Sequence, residues 1–342
     1  MYVGMYKNRL YENKFLEEYG YLFETNKIMP YIEVIQLKIR LTTSTEEEII
    51  AHYDQCFQSS YFIDFYTFAD SEYKQFDIEK VDYSISLRTD SAKRYFDRLE
   101  KTKISQKVIP VISIKEVRDN LLDTESILNV IKSLQEIKKQ IAVRIEADLF
   151  NDYFDAIKNV LRESDYLFFD VKEENVDPYI LDIMEFDDND KFIKILTNSP
   201  RKEDIYNSKY LESGYTELIN NFARKEYKEH GFDGYADYSG LKDDLPRAGG
   251  GPGGAALAVF YDHIENQYYT IKNKNTQLGV NGYPYVIEEL MRDEIQAKLR
   301  SKDCLAYKYV EDMINRGKPG NFATWNFITI LRTLSEMKKV YK

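Results

Sequence analysis

Three consecutive segments, VIPVISIK (Val108–Lys115), DTESILNVIKSLQEIKK (Asp123–Lys139) and IAVRIE (Ile141–Glu146), set the pattern of the whole chain. The outer two are short apolar runs rich in β-branched residues, and each reads as a strand. The middle one places Ile127, Val130, Ile131, Leu134 and Ile137 on one helical face. Asp123 or Thr124 can cap its first amides. The unit is therefore strand, helix, strand.

The same alternation runs outward in both directions. Strand-like runs recur at Met29–Leu37, Tyr61–Phe68, Tyr166–Val171, Phe192–Thr197, Gly234–Tyr238 and Ala256–Tyr261, giving eight with the two above. Helix-like segments stand between them, including FNDYFDAIKNVLRES (Phe150–Ser164) and KEDIYNSKYLESGYTELINNFARKEY (Lys202–Tyr227). Eight repeats of this order predict an α/β fold, a (β/α)8 TIM-like barrel. A doubly wound open sheet is the rival, but its G-x-G-x-x-G turn after the first strand is missing. Residues 1–280 are expected to form the barrel. Residues 281–342 are expected to add a C-terminal helical extension packed on it. Those helices read from YVIEELMRDEIQAKLRSKDCLAYKYVEDMINR and ATWNFITILRTLSEMKKVY, parted by Gly317-Lys318-Pro319-Gly320, with Trp325 as a packing anchor.

Composition narrows the function classes. The chain has 342 residues, 43% of them hydrophobic, enough for a sizeable core. Its 47 basic and 58 acidic side chains leave a net charge of −11. That balance argues against broad nonspecific nucleic-acid binding, which works by neutralising phosphates. Cys56 and Cys304 are far apart and lack partners at metal spacing, so a reducing, cytoplasmic setting is expected. The three histidines, His52, His230 and His263, do not form a metal spacing either. Neither a signal peptide nor a membrane span is expected, because no apolar run reaches the needed length.

Barrel active sites form at the C-terminal ends of the strands. Polar residues late in otherwise apolar strands are therefore the candidates. They are Glu33, Ser113 and Lys115, Arg144 and Glu146, Asp170 and Lys172, Thr197 and Ser199, and Asp237. Such groups imply a shared polar cavity, since a charge buried without partners is costly. One reading is an internal salt-bridge cluster centred on Arg144. The other is a site, with the acids holding Mg²⁺ or Mn²⁺ or acting as an acid/base pair. The sequence leaves both open.

The run Gly249–Gly254 supplies bare amides before the strand-like run Ala256–Tyr261. It lacks the Lys-Ser/Thr of a P-loop. Barrels often bind phosphate with the loops after their last strands. Gly250, Gly251 and Gly253 can therefore present amides to an anion, with Lys242, Arg247 and Tyr238 nearby. The alternative is a plain connector.

Several of these stretches together resemble a known family. MYVGMYKNRLYENKFLEEYG leading into Met29-Pro30-Tyr31-Ile32-Glu33, then VIPVISI, the VRIE strand, Phe169-Asp170, TNSP and GYADY, is similar to the bacterial and phage "beta protein" family and its sister group. Where the family usually reads G-D-Y, this chain has Gly234 displaced from Asp237-Tyr238. The resemblance spans nearly the whole chain through short motifs. It implies a barrel and a gene setting among mobile elements and phage defence. It also implies a shared site at Glu33, Arg144, Asp170, Asp237 and Tyr238, and it supplies no reaction. The expected function is binding, or hydrolysis, of a phosphate-bearing ligand at the barrel rim within an anti-phage or mobile-element system. The alternative is a non-catalytic sensor or scaffold that binds a phage component or partner protein.

Overall fold

A computed structural model describes residues 1–25, 27–65, 92–115, 123–186, 190–245 and 254–341. Eight parallel strands close into a barrel. They are β1 (Tyr2–Lys7), β2 (Ile28–Val34), β5 (Tyr61–Phe65), β6 (Val108–Ile114), β7 (Ala142–Glu146), β8 (Tyr166–Asp170), β9 (Ile193–Thr197) and β11 (Gly234–Asp237). Each pairs with its neighbour in chain order, and β11 returns to β1 through Tyr2↔Tyr235 and Gly4↔Asp237. Helices alternate with the strands: α1 (Leu10–Tyr19), α2 (Glu46–Cys56), α3 (Ala92–Glu100), α4 (Thr124–Ile137), α5 (Phe150–Lys158), α6 (Ile180–Ile183) and α7 (Phe222–Glu226). This is the (β/α)8 barrel that the alternation predicts. Asp123 caps α4 by accepting from the Ser126 amide.

The strand census differs at both ends. The first barrel strand is YVGMYK at the N-terminus, which carries a glycine and a lysine and so lacks an apolar run. The expected eighth strand lies elsewhere. Leu257–Asp262 (β12) pairs antiparallel with Gln267–Lys272 (β13), which pairs with Ser213–Thr216 (β10). The short turn His263–Asn266, with Asn266 at φ 52°, makes β12 and β13 a hairpin that cannot join a parallel barrel. Strand β10 also interrupts the helix expected over Lys202–Tyr227, leaving a 3-10 turn at Asn207–Lys209 and the α-helix Phe222–Glu226.

The chain divides into two compact units. The first takes in residues 1–198 and 222–237, and therefore the entire barrel. The second takes in residues 199–221, 238–244 and the chain beyond 249, so it carries a sheet as well as the helices expected for 281–342. Its helices are α8 (Tyr283–Leu290), α9 (Asp293–Leu299), α10 (Leu305–Asn315) and α11 (Phe322–Val340). The long helix expected before Gly317 is thus three helices, broken at Met291–Arg292 and again where Arg300 takes a left-handed φ of 51°. Gly317 and Gly320, at φ 64° and 78°, make the turn into α11. Trp325 is buried, stacks on Tyr283 at 5.2 Å and donates to the Pro319 carbonyl, as an anchor should.

Strand pleat decides what fills the barrel. Lys7, Glu33 and Asp64 lie side by side in register, as do Glu146, Asp170 and Thr197. Below them Tyr31, Phe62, Tyr166 and Phe168 pack ring against ring, with centroids 4.9–5.9 Å apart. The interior is a packed aromatic floor beneath a charged layer. The opposite face of each strand meets the helices, as Tyr6 does against Phe15 and Phe169 against Phe150.

Candidate functional site

The charged layer is built around Arg144. Alternation along β7 sends Ala142, Arg144 and Glu146 inward. The guanidinium Nε and Nη2 reach Asp170 Oδ2 at 2.8 and 2.6 Å, and Nη1 reaches Glu33 Oε1 at 2.6 Å. Asp64 Oδ2 lies 3.8 Å from Nη1. Lys7 Nζ meets the other Glu33 oxygen at 2.8 Å. All five groups are at most 2% exposed. Burial of this kind is tolerable only because each charge faces an opposite one.

Asp64 is the most unusual member. Its Oδ2 accepts from the Tyr31 hydroxyl at 2.9 Å and from the Ser113 hydroxyl. Its Oδ1 has no hydrogen-bond partner among the described residues, and neither does the hydroxyl of buried Thr197. Burial raises the Asp64 pKa. Lys115 and Arg144 pull it back, yet it stays above the usual carboxylate range. The Tyr31 hydroxyl is pushed far up, by burial first and Asp64 second.

Toward the rim, Lys172 Nζ pairs with Glu146 Oε2 at 3.0 Å. Its backbone takes a left-handed φ of 54°, which lets its amide donate to Asp170 Oδ1 at 2.9 Å. Burial disfavours the ammonium, but Glu146 outweighs it and the Lys172 pKa lies above its ordinary value. Here a cavity of about 350 Å³ opens, lined by Asp148, Asp170, Lys172, Glu174 and Tyr179 among others. The Tyr179 hydroxyl donates to Asp148 at 2.9 Å, and burial together with Asp148 pushes its pKa up to about 12.

The expected site residues therefore separate. Glu33, Lys115, Arg144, Glu146, Asp170 and Lys172 come together at the C-terminal end of the barrel. Asp237 does not join them inside. It is in register with Gly4, on the outward face, and accepts from the Tyr2 hydroxyl at 2.8 Å. On that face the Tyr235 ring meets Tyr227, which follows α7. A one-residue difference in parity turned Asp237 away from the interior. Tyr238 and Lys242 belong to the second unit, where Tyr238 is buried and Lys242 donates to the Glu203 carbonyl. Arg247, Gly250, Gly251 and Gly253 lie outside the described residues. Ser199 is also in the second unit, near Asp243.

Sequence reading missed Lys7, Tyr31 and Asp64. Asp64 had a signal: a carboxylate at period two from Phe62 in the aromatic run YFIDF. Lys7 had none until YVGMYK was recognised as a strand.

The interior carboxylates are poorly disposed to hold Mg²⁺ or Mn²⁺. Glu33 faces Lys7 and Arg144, Asp170 faces Arg144, and Glu146 faces Lys172. A cation would have to displace these partners. In the second unit Asp262, His263 and Glu336 bring their ligand atoms within 4.8 Å of one another. Arg300 holds both Asp262 oxygens, and Arg332 and Lys339 flank Glu336. Three cations already answer two carboxylates there, so this cluster is a salt-bridge network.

No protein-family model matches the chain, and no curated protein matches its sequence. The fold and the site define it as a (β/α)8 barrel protein with a charged, largely buried C-terminal mouth.

Proposed function

We propose that the barrel mouth binds a phosphate-bearing ligand, a nucleotide or nucleic acid, and serves a bacterial anti-phage or mobile-element system. The supporting observation is the charge of the mouth. Lys115, Arg144 and Lys172 rise from the neighbouring strands β6, β7 and β8, and Lys7 from β1. They face Glu33, Glu146, Asp170 and Asp64, whose pKa burial raises while Lys115 and Arg144 pull it back. These cations stand at a barrel's C-terminal end, where such ligands are handled, and Lys172 lies in the cavity whose other charged lining is Asp148, Asp170, Glu173 and Glu174. Lys172, with its side chain 43% exposed, is the cation that solvent can reach. A hydrolase would use Asp64 as its proton-transfer group, since its pKa is displaced toward neutrality. The defence setting comes from the resemblance to the beta protein family.

Calorimetric titration with a nucleotide and oligonucleotide panel, with and without Mg²⁺ or Mn²⁺, tests the reading. Binding is expected, and Lys172→Ala should weaken it about tenfold, or ~1.4 kcal/mol. If nothing on the panel binds, the phosphate reading is wrong.

A second reading is a non-catalytic sensor or scaffold. It is favoured by the near-complete mutual neutralisation of Lys7, Glu33, Arg144 and Asp170, which suits a structural plug. Leu181 and Met184, 75% and 74% exposed beside α6, offer an apolar surface for a partner protein. Phage-plating assays with Lys172→Ala separate the two: protection falls if the mouth is the working site and persists if it is a plug.

A further inference from the structure

Around the cavity of about 710 Å³ beside α1, α2 and the hairpin of Lys38–Ile39 (β3) and Thr42–Thr43 (β4), Glu17 answers Arg40. A buried charge without such an answer stands in the second unit. Four arginines among the described residues are buried: Arg98, Arg144, Arg201 and Arg332. Arg98 pairs with Glu46, Arg144 with Glu33 and Asp170, and Arg332 with Glu336. Arg201, only 6% exposed, has no carboxylate within 4 Å among the described residues. Its Nη2 donates to Asn207 Oδ1 at 2.9 Å, and its Nη1 to the Gly240 carbonyl at a long 3.5 Å. Its Nε has no acceptor among the described residues. The Tyr210 ring centroid lies 5.3 Å from Cζ, and the buried Tyr210 hydroxyl also lacks a partner there. A guanidinium is always charged, and burying it against neutral acceptors alone is costly. The backbone nevertheless fixes it in place. Arg201 bridges Ile219 on one side and Lys242 on the other. Ser239 and Gly240 take left-handed φ values of 53° and 81° on the way to the carbonyl it meets. A Cβ at Gly240 would meet Tyr268 at 2.9 Å and Thr329 at 3.0 Å, so that turn is tightly seated.

We propose that Arg201 anchors a phosphate-binding site in the second unit, with Asn207 as its gate. Nε and Nη2 form the guanidinium edge that takes an oxyanion through two parallel bonds. One member of that edge meets a neutral amide oxygen, and the other meets no acceptor among the described residues. Asn207 is half-buried in the 3-10 turn Asn207–Lys209, and its Nδ2 donates to the Ala255 carbonyl at 3.1 Å. Gly254 leaves room beside it, since a Cβ there would come no closer than 3.7 Å to Asn207. Turning outward, the carboxamide yields both donors of the edge to the anion. Arg201 follows β9 and Gly240 follows β11, the seventh and eighth barrel strands along the chain. The loops after those two strands are where barrels frequently hold phosphate. This site is independent of the barrel mouth and of any ligand there.

Calorimetric titration of the full chain with inorganic phosphate at fixed ionic strength tests this. Saturable binding is expected. Arg201→Lys keeps the charge but loses the two-donor edge, and should weaken binding about tenfold. Asn207→Asp sets a carboxylate against the guanidinium and should abolish binding. Asn207→Ala removes the competing acceptor and should tighten it. Asn207 is half-buried, so its variants keep the test open if Arg201→Lys does not fold. A nucleoside monophosphate that binds more tightly than phosphate identifies a phosphate ester as the ligand, and one that binds equally or less identifies the free ion. The proposal is overturned if the wild type takes up no phosphate or if acetate binds as well. It is equally overturned if the folded variants Arg201→Lys and Asn207→Asp leave the affinity unchanged. Phosphate binding that only Lys172→Ala weakens belongs to the barrel mouth and overturns it too.

Discussion

Arg144 answers two buried carboxylates directly and a third at longer range, so its removal takes the guanidinium from Asp170 and leaves Glu33 to Lys7, both in a closed interior. Arg144→Ala should cost about 3–5 kcal/mol, the usual penalty for breaking a buried pair from one side. Asp237→Ala strands the Tyr2 hydroxyl, a neutral donor, for which about 1–3 kcal/mol is expected. Urea unfolding of the two purified variants checks the order, and equal losses would mean that Arg144 is not the counter-ion of the core. Asp64 predicts a pH effect. Its folded pKa is raised by burial, so its contribution to stability is complete below the unfolded carboxylate pKa of about 3.9. That contribution is lost as pH rises through the folded value. Asp64→Asn keeps an acceptor for Tyr31 and Ser113 without a charge. Its stability relative to wild type should therefore improve as pH climbs from about 4 toward neutrality. A flat difference across that range would show that Asp64 is ionised without penalty.

At the scale of single elements, legibility depended on how far a strand departs from plain apolar alternation. The strands VIPVISI, AVRIE and YLFFD declare themselves, because β-branched and aromatic residues dominate both faces, as expected of a strand covered on two sides. YVGMYK does not, since Gly4 leaves room for the folded-back Tyr6 ring and Lys7 serves the interior charge layer. LAVFYD reads as a barrel strand, and only its pairing with QYYTIK assigns it elsewhere. Pairing is a tertiary fact that periodicity cannot supply. Asp237 shows the same limit one level down: its position late in a strand was legible, its facing was not. Two elements give testable consequences. A methyl group at Gly234, the first residue of β11, would meet the Met1 carbonyl at 2.8 Å and the Met1 side chain at 2.4 Å. Gly234→Ala should cost about 1–3 kcal/mol in a thermal melt. An unchanged melt would mean that the start of β1 can shift freely. The C-cap of α4, Lys138, is buried, donates to the Thr102 and Ser105 carbonyls, and has its pKa lowered by burial to about 8. The charged form is therefore penalised in the fold. That penalty is present below about pH 8 and is relieved as pH rises toward the unfolded value of 10.5. Wild type should gain up to roughly 3 kcal/mol over Lys138→Met between about pH 7 and pH 10. A loss over that interval would refute the sign.

For the molecule as a whole, the decisive feature is closure. An eight-stranded barrel has no edge, and this one loses that property if a single strand is withheld. Strand β1 is the closing piece. It pairs with β2 along all six residues, Tyr2↔Ile28 to Lys7↔Glu33, and with β11 from Tyr2↔Tyr235 to Gly4↔Asp237. The Met1 carbonyl also accepts from the Tyr235 amide, and the Met1 ammonium donates to the Asp233 carbonyl. Deleting residues 1–8 would expose two parallel-sheet edges, remove Val3 and Met5 from the core, and take Lys7 from Glu33. Each loss falls on groups that are fully buried, so water cannot substitute for them. The truncated chain should therefore lack a cooperative thermal transition and self-associate through its open edges. A nine-residue peptide comprising Met1–Arg9, added in excess, should restore part of the native circular dichroism if closure alone is missing. A truncated chain that stays monomeric and melts cooperatively within a few degrees of wild type would show that seven strands suffice. The β1 registers would then be incidental to stability, and the charge layer would have to hold without Lys7.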